Sequence, residues 1–240
     1  MAELFVRCTG SMTRYRSGFV LGPIDLTFAE GITCLVGANG SGKSTLFRML
    51  AGMQSLTGGG VEYDDHGSRR LGFLPQSPEL PGRATCREFL HLVAWVQGVT
   101  KARRTDAVQE ALAAVCLEDR ADQQIRELSG GMARRLAIAQ AIVHDPAILL
   151  LDEPTVGLDP VQRLSVRESL HAAGQGRVTL VSTHLLEDVR GLADRILVLS
   201  EGAVIFDGTI QTMEDLVPEA PVAGQSLLET ALTLLIRSAE

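Results

Sequence analysis

One short run constrains this chain more than any other. Gly37-Ala38-Asn39-Gly40-Ser41-Gly42-Lys43-Ser44-Thr45 follows directly on the apolar stretch Ile32 to Val36 and opens a helix-like stretch, Thr45 to Ala51. Its glycines let the backbone curl so that successive N–H groups face one concavity, and the helix start adds its positive end. Lys43 brings a mobile ammonium for β- and γ-phosphates, Ser44 a hydroxyl suited to Mg2+, and Thr45 a hydroxyl for a phosphate oxygen. Any one of the glycines could be an ordinary turn. The whole run, placed between a buried strand and a helix, matches the phosphate-binding loop of nucleotide-binding α/β proteins.

The rest of the chain suits such a core. Short runs apolar throughout recur at Ile148 to Leu151, Val178 to Val181 and Ile196 to Leu199, as expected of strands covered on both faces in a parallel sheet. With 240 residues, 45% of them hydrophobic, the chain is long enough for one large α/β domain, or for one core with a smaller lobe inserted. Residues 1 to 30, with the Gly22-Pro23 turn, suggest antiparallel strands leading into it. Residues 85 to 126 carry helical spacing (Phe89, Leu90, Val93, Val96, then Val108, Leu112, Val115) and suggest an inserted helical lobe, bounded at about 85 to 131. Ser226 to Ile236 suggests a C-terminal helix, within about 224 to 240, packed on its own domain. The glycines at 58 to 60 suggest a turn.

The strand Ile148 to Leu151 ends in Asp152 and Glu153. Ligands of parallel sheets bind beyond the carboxyl ends of the strands, where this pair is expected. Asp152 suits Mg2+, directly or through water, and Glu153, on the opposite side of a strand-like backbone, can polarise an attacking water. Alone, the pair could be a solvated turn; beside the phosphate-binding loop, the catalytic reading is stronger.

Leu128-Ser129-Gly130-Gly131-Met132 precedes a long helical stretch, ARRLAIAQAIV. Ser129 can cap that helix, and Gly130 and Gly131 leave N–H groups open to an anion. This run resembles the signature of ATP-binding-cassette proteins, and other segments fall in that family's order. Gly72 to Gln76 looks like the Q-loop, Val156 to Pro160 with Asp159 like the D-loop, and Ser182-Thr183-His184 like the segment of the switch histidine. Tyr15 resembles the aromatic that stacks on adenine, with Phe19 as a competitor. The resemblance extends from about Tyr15 to Gly208.

The resemblance implies a P-loop core with a parallel sheet, an N-terminal antiparallel β subdomain and an inserted α-helical subdomain, all within one ATPase domain over 1–240. It implies ATP and Mg2+ as ligands, with Lys43, Gln76, Glu153 and His184 in catalysis and Ser44, Gln76 and Asp152 at the metal. It also implies a head-to-tail dimer, a homodimer or a pseudo-symmetric heterodimer, in which Ser129, Gly130 and Gly131 cover the ATP of the facing chain. The signature commonly ends in glutamine; Met132 removes that polar side chain and implies a changed affinity or rate rather than an inactive site.

No apolar run approaches the ~18 residues needed to cross a bilayer, and no signal peptide is evident. The chain is therefore expected to be cytoplasmic, peripheral at the inner face of the membrane, and to drive a membrane-spanning transporter subunit on a separate chain. LSGGMARRLAIAQA and the Leu227-Leu228-Glu229 tail are similar to subunits of bacterial drug exporters of the ABC-2 kind. The alternative is a soluble member working in translation, DNA maintenance or iron-sulfur assembly. One cassette with a compact lobe argues against it. A kinase or GTPase would leave the LSGG run, Gln76 and His184 unexplained, and no Asn-Lys-x-Asp segment is present. A net charge of -7 makes nucleic acid an unexpected partner. Cys8, Cys34, Cys86 and Cys116 are scattered, as ordinary buried thiols would be.

Overall fold

The computed structural model describes residues 4–64, 71–217 and 226–239. They form two compact units, one made of the described residues up to Asp64 and from Leu180 onward, the other of those between.

The first unit opens with β1 (Phe5–Arg14) and β2 (Val20–Ala29), then β3 (Gly31–Val36), α1 (Lys43–Leu50) and β4 (Gly58–Asp64). β1 pairs antiparallel with both β2 and β4, giving a three-stranded sheet in the order β2-β1-β4. Val6 and Cys8 alternate with more exposed neighbours, the period-2 pattern of a sheet with one covered face. α1 begins at Lys43, before the expected Thr45, because Gly42 serves as its N-cap.

The glycines at 58 to 60 lie in a strand and not in a turn. The cause is the partner strand. β1 is irregular between Thr9 and Met12, where Gly59 has φ 69° and a methyl on it would stand 2.1 Å from the Gly10 carbonyl oxygen. Only glycine permits that approach in the left-handed region.

The second unit holds β5 (Leu71–Leu74), α2 (Cys86–Val96), α3 (Arg104–Ala114), α4 (Gly130–Ile142), β6 (Ile148–Asp152) and α5 (Pro160–Gly174); β7 (Val178–Thr183) leads out of it. α2 starts at a capping box: the Thr85 hydroxyl accepts from the Glu88 N–H at 3.1 Å, and the Glu88 carboxylate accepts from the Thr85 N–H at 2.9 Å. α2 and α3 fall where the helical spacing put them. β5 and β6 run parallel, and β6 is buried at every position, as its uninterrupted apolar run requires. α4 packs against β5, α2, α3 and α5, with Leu136 to Ala139 buried.

Back in the first unit come α6 (Leu186–Leu192), β8 (Arg195–Ser200), β9 (Ala203–Gly208), α7 (Ile210–Glu214) and α8 (Leu227–Ala239). β3 and β8 pair in parallel, and β9 adds antiparallel to β8. Cys34, Leu35 and Val36 on β3 and Ile196 to Leu199 on β8 are fully buried. Asp194 fastens the start of β3 by accepting from the Ile32 N–H at 2.8 Å. α8 packs on α7 and β9 with Leu228 and Ala231 buried, as expected of the tail; residues 224, 225 and 240 of that expected helix lie outside the described residues. This is the α/β fold expected, with an antiparallel N-terminal sheet, parallel strands and interleaved helices.

Three of the four cysteines are buried, and burial pushes the Cys8 and Cys34 thiols up to about 11 and about 12. Cys116 departs from expectation: it is exposed, in a left-handed turn with φ 52° after α3. Among the described residues, no helix is long and apolar enough to cross a membrane.

Candidate nucleotide site

The loop from Gly37 to Gly42 joins the buried end of β3 to the start of α1. Gly40 and Gly42 take φ 84° and 112°, the left-handed bends that turn the chain back on itself. Gly37 is required for space: a methyl there would stand 2.3 Å from the Leu199 carbonyl oxygen. Lys43 is only 6% exposed, and its Nζ donates to the carbonyls of Gly37 at 2.8 Å and Ala38 at 3.1 Å. The ammonium thus lies along the inside of the loop. Ala38, Asn39 and Gly40 are exposed, Ser44 and Thr45 half-buried. No side chain caps α1, so its N-terminal end remains for an anion.

Ser41 is tied in by its backbone, its carbonyl accepting from the Gly202 N–H at 2.9 Å, while its Oγ is buried with no hydrogen-bond partner. A phosphate oxygen would satisfy such an orphan. The loop therefore fits a phosphate group on its own geometry.

Tyr15 and Phe19 flank the turn between β1 and β2, closed by the Tyr15 N–H donating to the Phe19 carbonyl at 2.9 Å. Their ring centroids are 6.2 Å apart and tilted by 50°. The Phe19 ring edge lies against Gly42, 3.2 Å from where a methyl on that glycine would stand. The aromatic pair thus borders the loop, and Phe19 is the nearer to Gly42. His184 follows β7 and is exposed, behind buried Ser182 and Thr183. The Thr183 hydroxyl accepts from the Leu185 N–H at 3.0 Å and donates to Asp188 at 3.4 Å, which fixes the turn at His184.

In the second unit, Asp152 closes β6 and Glu153 follows, 4% and 5% exposed. Glu153 does not continue the strand, contrary to expectation: its φ is 50°, a left-handed turn that costs a non-glycine residue about 1–2 kcal/mol. Tertiary contacts must hold it there. The holder is a residue the sequence reading passed over. Arg134 on α4 is buried, and its guanidinium donates to the carbonyls of Asp152 at 3.2 Å, Pro154 at 2.7 Å and Gln76 at 3.0 Å, and also to that of Glu153. Burial pulls the guanidinium below its ordinary pKa, against the raising effect of Asp152 and Glu153, yet a group that starts so high stays charged. The one available signal was a charged side chain at a position where ARRLAIAQAIV is otherwise turning apolar.

Gln76 has an exposed side chain just beyond β5. Ser129 caps α4, its Oγ accepting from the Met132 N–H at 3.3 Å; Gly130 is exposed, and Gly131 is buried against Gln162. Asp159 caps α5 by accepting from the Gln162 N–H at 2.9 Å. Among the described residues, no cluster of three or more His, Cys, Asp or Glu forms a metal cage. Mg2+ needs none when phosphates supply oxygens; it keeps waters and takes one or two protein oxygens.

Residues 21–156 match the family model described as ABC transporter. An ABC transporter ATP-binding protein of Bacillus subtilis, itself uncharacterised, is 36% identical over 183 residues, 75% of this chain; the match spans 62% of that relative's length. The Nod factor export ATP-binding protein I of Bradyrhizobium diazoefficiens is 36% identical over 227 residues, covering 90% of this chain and 74% of the relative. Among solved structures, an ATP-binding subunit of an ABC transporter superposes with a TM-score of 0.77 at 26% identity, covering 96% of this chain and 99% of that one. A phosphate loop of this geometry, a capped LSGG helix and these matches agree, and the chain belongs to the ABC transporter family.

Proposed function

We propose that the chain is the ATP-hydrolysing subunit of an exporter, a single ABC ATPase domain that powers a membrane-spanning subunit on a separate chain. Two anion-receiving helix ends carry this reading: α1 at the phosphate loop and α4 at Ser129-Gly130-Gly131. One nucleotide needs only the first. The second serves the ATP of a facing copy, whether a homodimer or a pseudo-symmetric heterodimer, so ATP closes the pair and loss of phosphate opens it.

Lys43 leaves its carbonyl partners for the β- and γ-phosphates, and loop N–H groups take the oxygens. Tyr15 or Phe19 stacks on adenine. Glu153 and His184 orient the attacking water, Gln76 joins them, and Asp159 meets the opposite subunit. Ser44, Asp152 and Gln76 would hold Mg2+, which would supply neutralisation of phosphate charge. Met132 leaves the Ser129 hydroxyl and the glycine N–H groups in place, so the signature end still receives phosphate.

α2 supports a membrane partner: Leu92, Trp95 and Val96, neighbours at i, i+3 and i+4, are 53%, 59% and 70% exposed. The name of the Bradyrhizobium relative favours export. The chain then works at the cytoplasmic face of the membrane as a peripheral subunit. Light scattering on the purified chain tests the closing step. With ATP and Mg2+ the Glu153→Gln protein is expected to run as a dimer and with ADP as a monomer; a mass independent of nucleotide contradicts the cycle.

A further inference from the structure

Arg134 is a cation inside the helix that carries the signature at its N-terminus. It meets four backbone carbonyls from two separate segments: Gln76 beyond β5, and Asp152, Glu153 and Pro154 beyond β6. All four of these bonds go to main-chain oxygens rather than to the carboxylates of Asp152 and Glu153. What it fixes is the backbone under them. Three successive carbonyls gripped by one rigid, planar fork set the peptide orientations on both sides of Glu153, the residue whose φ is 50°. Those orientations decide where the Glu153 side chain leaves the chain. The Nη1 bond to the Gln76 carbonyl adds the Q-loop segment to the same fork.

We propose that Arg134 is a positioning residue that locks the left-handed turn of Glu153 and ties it to Gln76, so that the signature helix and the hydrolytic carboxylate move as one body. Phosphate arriving at Ser129-Gly130-Gly131 pulls on α4; Arg134, one turn further along the same helix, passes that pull to the strand end. The proposal rests on the reading of Glu153 as the residue that orients water. Lysine cannot replace arginine here, because one ammonium cannot reach four carbonyls spread over two segments.

The test compares Arg134→Lys, Arg134→Met and Glu153→Gln for steady-state ATPase, binding of a fluorescent ATP analogue and folded fraction by circular dichroism. Both Arg134 variants are expected to lose about 100-fold in kcat, as a misplaced catalytic group does. Their KM and analogue affinity are expected to stay within about threefold of the parent. A kcat per folded molecule within about twofold of the parent, or a loss that merely tracks the folded fraction, overturns the proposal. If the methionine variant does not fold, the lysine variant decides, since it keeps a buried cation. An inactive Glu153→Gln beside an active Arg134→Lys refutes only the role of Arg134; normal turnover by Glu153→Gln removes the reading beneath it.

Discussion

Glu153→Gln is expected to lower ATP hydrolysis by about a thousandfold, the size of effect that a positioned base contributes. The substitution keeps the shape of a side chain that is only 5% exposed and so leaves the turn beyond β6 intact. It removes the charge proposed to polarise the attacking water. Binding of ATP should persist, or strengthen, because a negative charge near the triphosphate has gone. Phosphate release and analogue binding, measured on the same preparation, separate the two effects. Full turnover by the variant would remove Glu153 from the mechanism.

Lys43→Ala should act on the other half of the cycle. A charged hydrogen bond is worth about 1.5–3 kcal/mol, so ATP should bind roughly tenfold to 150-fold more weakly. The change also removes the bonds to the Gly37 and Ala38 carbonyls that brace the loop. The buried side chains of β3 and α1, Leu35, Val36, Leu46 and Phe47 among them, are untouched by the substitution, so the variant is expected to fold. Titration with a fluorescent ATP analogue, together with a thermal melt, distinguishes weaker binding from lost structure. Unchanged affinity in a folded variant would contradict the role given to Lys43.

The parts of the fold that were legible in the sequence are those whose cause is local. Uninterrupted apolar runs marked β3, β6, β7 and β8 because a strand buried on both faces has no polar position to spare. The phosphate loop was legible because its glycines, lysine and hydroxyls act within nine consecutive residues. Ser129 announced its cap in the same way.

The misreadings have non-local causes. Gly58 to Gly60 looks like a turn until β1 is seen pressing its Gly10 carbonyl against Gly59. Glu153 looked like one more strand residue, because the arginine that holds its turn lies on α4, 19 positions away in sequence. Arg134 drew no reading from the sequence, because only the fold brings the carbonyls of residue 76 and residues 152 to 154 to it.

Whether the chain drives a separate membrane subunit is tested most directly by what it holds when trapped with ATP. Tagged Glu153→Gln protein is purified with ATP and Mg2+ from detergent-solubilised cells, and its companions are identified by mass spectrometry. A multi-span membrane protein present in amounts comparable to the chain, and released when ADP replaces ATP or when Trp95 is changed to a charged residue, is the predicted result. Ribosomes, DNA or assembly factors, with no membrane protein among them, would contradict it.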